Sequence, residues 1–177
     1  LGDVYKRQIL GNQDTIYTGA KFTRLYFKDC YIDGTTDFIF GPSTALFEDC
    51  IIHSKRNSYV TAASTPKEAK YGYVFKHCKL TAEPGVDKVY LGRPWRPYAY
   101  TLFIECELGK HIVSAGWHNW GKQSNEETAR YMEYKNTGEG ANASERVAWS
   151  KQLTKKEAEA VTVDAIFRTQ SNWNPID

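Results

Sequence analysis

Four short phrases, "FKDCYI" (27–32), "FEDCII" (47–52), "FKHCKL" (75–80) and "FIECEL" (103–108), decide how this chain of 177 residues is read. Each runs Phe, two residues, Cys, one residue, then Ile or Leu. The cysteines, Cys30, Cys50, Cys78 and Cys106, follow one another at steps of 20, 28 and 28 residues. A self-similar period of that length marks stacked units, each of which buries its apolar face only against its neighbours. Within a phrase the Phe, the Cys and the aliphatic residue do not share one strictly alternating face, so a bulge or bend is expected beside the Cys.

Between the phrases lies a second family of short strand-like runs: "QDTIYT" (13–18), "TDFIF" (36–40), "YVTAA" (59–63), "KVYLG" (88–92) and "HIVSAG" (111–116). Gly, Asn, Asp and Pro gather between them, as turns require. The amphipathic segments of 10–15 residues that a doubly wound sheet needs between its strands are missing. The expected fold is therefore all-β, a right-handed parallel β-helix. Near the end, "TKKEAEAVTVDAIF" (154–167) places Thr154 and Glu157 in capping-box spacing before a short helix. Residues 150–177 are read as a helix or loop laid over the exposed edge of the last coil. At the other end, residues 1–8, "LGDVYKRQ", resemble an adapter-derived lead-in and stay outside the fold argument. Residues 9–177 are then expected to be a partial β-helix domain that begins in mid-pattern.

Bulk composition narrows the function classes. Hydrophobic residues make up 41% and charged residues 25%, with a formal net charge of +2, as in a globular domain able to bury a core. Lys and Arg are scattered rather than striped, which disfavours nucleic acid as a partner. No apolar run reaches the ~20 residues of a membrane-spanning helix, so no membrane partner is expected. His53, His77, His111 and His118 lack metal-site spacing, no CxxC occurs, and no GxSxG nucleophile elbow is present. No metal and no cofactor are expected, and an ordinary serine esterase is disfavoured.

Attention then falls on "YIDGTTDFIFG" (31–41), where Asp37 sits inside a run of β-branched and aromatic residues. A buried carboxylate without partners costs several kcal/mol, so Asp37 must cap a turn, join an ion pair or do chemistry. Stacked coils place equivalent strand residues ~4.8 Å apart along the solenoid axis. Asp14 and Asp37 are 23 residues apart, about one coil, and belong on neighbouring strands of one sheet. The next coil there carries small residues in "YVTAAS". The one after it ends in "YLGRPWRP", from which Arg93 could reach back across Thr61 or Ala62. Two carboxylates and a guanidinium thus converge on an outer face, with Gln13, Trp95, Tyr59 and Phe40 nearby.

Those residue types suit acyl transfer. Two adjacent carboxylates oppose each other's ionisation, so one can hold a proton while the other stays charged against a cation. The planar fork of Arg93 fits that cation's place. An ionised Asp37 could attack a carbonyl, a protonated Asp14 could give its proton to the leaving oxygen, and the amide of Gln13 could donate to an oxyanion.

At these residues the sequence resembles the pectin methylesterases, carbohydrate esterases that remove methyl esters from polygalacturonate. "QDTIY" is similar to the family's QDTLY, "GTTDFIFG" to its GTVDFIFG, and "LGRPW" matches unchanged; "AGWHNWG", "YMEYKNTGEGAN" and "VAWSKQLT" continue the likeness, which runs from Gly11 to Pro175. The resemblance implies Asp37 as nucleophile, Asp14 as general acid and then base, Gln13 as an oxyanion donor and Arg93 as the residue that orients Asp37. It implies a sugar groove lined by Trp95, Phe40 and Thr36, a parallel β-helix and no metal; Tyr59, placed nearby by the stacking of coils, joins them as a candidate substrate contact. Trp117 and Trp120 read as packing and groove-wall residues. Thr36 replaces the family's usual Val, and the upstream glutamine phrase that supplies a second oxyanion donor is absent. Loss of one such donor typically costs ~10²–10³ in kcat, so residues 9–177 alone are expected to be poorly active.

The resemblance also implies a disulfide between Cys30 and Cys50, which occupy successive coils and bracket Asp37. Cys78 and Cys106 are read as buried thiols, a second bridge being the alternative. As a pectin methylesterase the protein would act on methyl-esterified homogalacturonan as a monomer and be secreted, periplasmic or bound to the cell wall. A lyase or hydrolase on the same fold, or a β-helix that binds carbohydrate without turnover, are the rival readings.

Overall fold

The structure is a computed structural model that describes residues 2–168, 173 and 175. Three parallel sheets run along one axis, and the chain visits them in rotation, once per coil. The first sheet orders seven strands: Gly2–Tyr5, Arg24–Lys28, Thr44–Glu48, Tyr73–Lys76, Tyr100–Ile104, Arg130–Tyr134 and Lys151–Gln152. The second holds Gln8–Ile9, Tyr31–Gly34, Ile51–Ser54, Lys79–Ala82 and Glu107–Leu108, and the third Ile16–Tyr17, Ile39–Gly41, Tyr59–Ala63 and Tyr90–Gly92. Every strand pair within these sheets is parallel, as a solenoid demands and a meander cannot supply. This is the parallel β-helix expected from the repeat. Gly2–Tyr5, left out of the sequence argument, pairs with Leu25–Lys28 as the first rung of the first sheet.

The four phrases build one corner. Phe27, Phe47, Phe75 and Phe103 are in register on successive rungs. Their rings stack at centroid spacings of 4.7, 4.6 and 4.4 Å, with interplanar angles of 6°, 9° and 8°. The bend expected beside the Cys is a single left-handed residue just before it: Asp29, Asp49, His77 and Glu105 have φ of 53°, 54°, 54° and 51°. That residue turns the chain from the first sheet into the second. Phe, Cys and the aliphatic residue therefore all point inward despite their spacing, and all are buried. Ile32, Ile52, Leu80 and Leu108 continue the same register below the corner.

The cysteines correct one expectation. Cys30 and Cys50 are both free, buried thiols, and so are Cys78 and Cys106, so the Cys30–Cys50 bridge is not formed in the structure. The reason lies in the repetition. Each Sγ approaches the carbonyl two residues back in its own coil and one carbonyl of the preceding coil. Those preceding-coil carbonyls belong to Val4 for Cys30, Phe27 for Cys50, Phe47 for Cys78 and Phe75 for Cys106, at 3.2–3.5 Å. Identical surroundings on every rung mean parallel side chains, whereas a disulfide needs its two Cβ–S arms crossed near 90°. Burial raises the thiol pKa of Cys30 and Cys78, and the hydrogen bond with Cys78 together with burial raises that of Cys50, holding all three protonated.

The coil after the fourth phrase breaks the pattern and ends it. Glu133 stands in register with Phe103, is buried, and is held by Arg146 through Nε at 2.8 Å and Nη2 at 3.2 Å. Asn136 follows on the rung beyond Cys106 and accepts the backbone N–H of Cys106 at 2.9 Å. The terminal segment does two things. Lys151–Gln152 adds a strand to the edge beside Arg130–Tyr134, and the helices Lys155–Glu159 and Val163–Phe167 lie across the outer face of the first sheet. That face is apolar, with Tyr26, Leu46, Val74 and Leu102, and Ala158, Val161, Ile166 and Phe167 pack against it. The Thr154 and Glu157 capping box is formed in both directions. So the described part of the expected cover shields the flank of the coils rather than only their last edge; residues 169–172, 174, 176 and 177 lie outside the described residues.

Candidate active site

The third sheet carries the polar residues. Ile16 pairs with Ile39, and the backbone N–H of Asp14 donates to Thr36 and that of Asp37 to Tyr59, so Asp14 and Asp37 hold equivalent places one coil apart. Both have left-handed backbones, φ 56° and 49°. A short polar side chain tolerates that region better than a β-branched one, which is why two Asp can occupy the corner where strands of Ile, Phe and Thr begin. The twist of the backbone aims both carboxyl groups outward to the same cleft. Gly92, one residue before Arg93, is required by contact: a Cβ there would fall 2.0 Å from the Oγ1 of Thr61 on the rung below. The close fit lets "LGRPW" lie flat on the preceding coil and projects Arg93 back towards Asp37.

The cleft, of about 250 Å³, is lined by Gln13, Asp14, Asp37, Phe40, Ala62, Arg93, Trp95 and Trp120. Arg93 binds Asp37 with both arms of its fork, Nε to Oδ1 at 3.0 Å and Nη2 to Oδ2 at 2.7 Å. Asp37 is only 6% exposed, whereas Asp14 and Gln13 are open to solvent. Phe40 meets Tyr17 at 5.0 Å and Trp95 at 5.9 Å, forming an aromatic row along one wall. Such a row offers faces on which pyranose rings can stack.

Electrostatics rearranges the sequence reading in one respect. Burial raises the pKa of Asp37 above the usual carboxylate value; the hydrogen bonds and charge of Arg93 oppose the rise, and the negative charge of Asp14 adds to it. The upward shift thus falls on the acid that was expected to be held ionised. Arg93 limits the cost of charging Asp37 without cancelling it.

Six of the residues singled out from sequence, Gln13, Asp14, Asp37, Phe40, Arg93 and Trp95, come together in the cleft. Two do not line it. Thr36 turns aside, its Oγ1 accepting from the hydroxyl of Ser58 at 2.8 Å. Tyr59 lies beneath Arg93, its ring centroid 3.9 Å from the guanidinium carbon, and stacks on Tyr90 at 5.3 Å. It adds to the surface across which Arg93 is laid; Ala62 lines the cleft with Arg93, whereas Thr61 is fully buried. Trp120, read from sequence as a packing or groove-wall residue, takes a further place against Arg93. It lines the cleft, and its ring centroid lies 3.7 Å from the guanidinium carbon of Arg93. The only signal in sequence was a Trp held before Gly121 in "GWHNWG", and its left-handed backbone, φ 63°, is invisible there. Trp117 of the same phrase is a packing residue, 1% exposed and against Tyr131 at 4.4 Å.

Known proteins resemble this chain over most of its length. The family model described as Pectinesterase matches residues 2–170. Among curated proteins, Pectinesterase 31 of Arabidopsis thaliana is 43% identical over 155 residues, which cover 87% of this chain and 48% of that protein. Among solved structures, pectin methylesterase from carrot superposes with a TM-score of 0.84 at 34% identity, covering 90% of this chain and 54% of that one. A pectin methylesterase solved in complex with a hexasaccharide gives 0.77 at 29% identity, covering 97% and 58%. The chain thus spans about half the length of the curated relative.

Proposed function

The chain belongs to the pectinesterase family, and from that premise we propose that its cleft hydrolyses the methyl ester at C6 of galacturonate units in pectin, giving free carboxylate and methanol. The observation that carries the proposal is the forked Arg93–Asp37 pair set beside Asp14 and Gln13 in an aromatic-walled cleft.

In the proposed cycle one carboxylate oxygen of Asp37 attacks the ester carbonyl carbon, and the carbonyl π-electrons move onto oxygen. The side-chain amide of Gln13 donates to that oxyanion. As the carbonyl re-forms, the C–OCH₃ bond breaks and Asp14 gives its proton to the departing oxygen, releasing methanol. The acyl group now forms an anhydride with Asp37. Asp14, deprotonated by the first half-reaction, takes a proton from water; the resulting hydroxide attacks the acyl carbon and Asp37 leaves as carboxylate. Each acid returns to its starting state. Arg93 holds Asp37 in one orientation throughout and offsets the cost of its buried charge. The aromatic row of Tyr17, Phe40 and Trp95 holds the sugars, in keeping with the hexasaccharide found in a related structure. Because pectin is a wall polymer, the protein is proposed to work outside the cytoplasm.

Asp37→Asn and Asp14→Asn test the assignment. In the active protein each is expected to lower methanol release by a factor of roughly 10⁴ or more while circular dichroism shows the fold retained. Substantial turnover by either variant would remove that residue from its role. Product analysis separates the rival chemistries: methanol without shortening of the chain means an esterase, whereas unsaturated ends mean a lyase.

A further inference from the structure

Arg93 is gripped as well as paired. The ring centroids of Tyr59 and Trp120 lie 3.9 and 3.7 Å from its guanidinium carbon. Two rings that close cannot share one face of a planar group, so they cover opposite faces and leave only the edge with Nε and Nη2 free to turn towards Asp37. The two jaws are tied together by His118. Its ring packs on Tyr59 at 5.5 Å and Tyr90 at 5.4 Å, while its Nδ1 accepts the backbone N–H of Trp120 at 3.0 Å. An accepting Nδ1 requires neutral imidazole, and burial together with the charge of Arg93 lowers the pKa of His118 in the same direction.

We infer that Tyr59 and Trp120 are positioning residues which act on the reaction through Arg93, by locking the plane of its guanidinium and stripping water from both its faces. This rests on the esterase reading of the cleft and adds two residues to it. A guanidinium free to rotate or to be solvated on its faces holds a carboxylate less well, and Asp37 needs that hold because it is buried. The groups facing the pair are Asp14 from the preceding coil, His118 beside Arg93, and the fully buried hydroxyl of Tyr131 from the first sheet. None of these can replace the lost ring contacts.

Two readouts test it. The first is the titration of the Asp37 side-chain carboxyl by ¹³C NMR in this chain, which does not depend on turnover. Tyr59→Leu and Trp120→Leu are each expected to move that titration upward by about half to one pH unit. Tyr59→Phe, which keeps the ring, restores it. The second is turnover in the active protein. Tyr59→Leu is expected to lower kcat roughly fivefold to thirtyfold with KM within about twofold, and in an Arg93→Lys background to add less than about twofold. If Asp37 titrates in the same place in both Leu variants, the inference fails. It fails equally if Tyr59→Leu raises KM at unchanged kcat, which is the mark of a sugar-stacking residue, or if its effect multiplies with that of Arg93→Lys. Should Tyr59→Leu not fold, Trp120→Leu on its surface turn carries the NMR test. An Asp37→Asn protein that still released methanol would overturn the esterase reading and leave the NMR result on the clamp standing by itself.

Discussion

Two corners of this solenoid use the same backbone device for opposite ends. Between the first and second sheets, a left-handed residue precedes each of four cysteines, and the side chains around it repeat on every rung: Phe on Phe, Cys on Cys, Ile or Leu on Ile or Leu. At the start of the third sheet, left-handed residues recur at Asp14 and Asp37, and the rungs that follow differ, with Tyr59, then Tyr90 and Arg93. The first corner points its left-handed side chains at solvent and packs a dry interior. The second points them at a cleft. Repetition marks where stacking itself is the purpose, and departure from repetition marks where several different groups must meet.

The contrast can be tested from its strongest side. Phe75, in the middle of the ring stack and fully buried, is expected to cost about 3–5 kcal/mol of stability on replacement by Ala, seen as a lower denaturation midpoint in urea. The Asp37 titration should not move, because no ring of the stack lines the cleft. If it did move, the separation drawn between them would be wrong. Gln13→Leu probes the other corner. Gln13 is exposed and is the one side-chain amide lining the cleft among the described residues, so stability should change little while kcat falls by roughly 10²–10³. A large fall in stability with kcat retained would make it a structural residue.

A smaller and more diagnostic effect concerns pH. Asp37 has a folded-state pKa above its unfolded value, so between the two the folded protein binds more protons than the unfolded one. Its contribution to stability is therefore present at acid pH and is lost as pH rises through the folded value. Activity runs the other way: the attacking group must be ionised, so the acid limb of kcat should lie above the ordinary aspartate value. Urea denaturation across that range should show a downward slope with pH that Asp37→Asn removes; a slope unchanged in the variant would assign it elsewhere. The smallest effect belongs to the cysteines. Four thiols should react with a chromogenic disulfide in denaturant without prior reduction, and Cys50→Ala should cost only about 1–2 kcal/mol, since it deletes one sulfur without breaking a covalent link. Two reactive thiols instead of four would restore the Cys30–Cys50 bridge.

Much of the cleft was legible before any coordinates because a solenoid converts sequence distance into spatial distance. One coil separates Asp14 from Asp37, and two rungs separate Asp37 from Arg93; both placements follow from period alone, and the structure brings all three together. Period says nothing about which way a side chain leans. Tyr59 was placed in the sugar groove and lies under Arg93 instead, while Thr36 turns to Ser58. Trp120 was out of reach of the rung argument, because it stands on a loop rather than a strand.

The sequence by itself determined the stacking period, the parallel β-helix, the family, and which acids and base share a face. All of these depend on backbone pairing, which repeats. Only the tertiary structure decided that the cysteines stay apart, that the terminal helices cover the flank, that burial raises the pKa of Asp37, and that two rings close on Arg93. Those outcomes depend on side-chain direction and on exclusion of water, which arise only when separate coils are packed together.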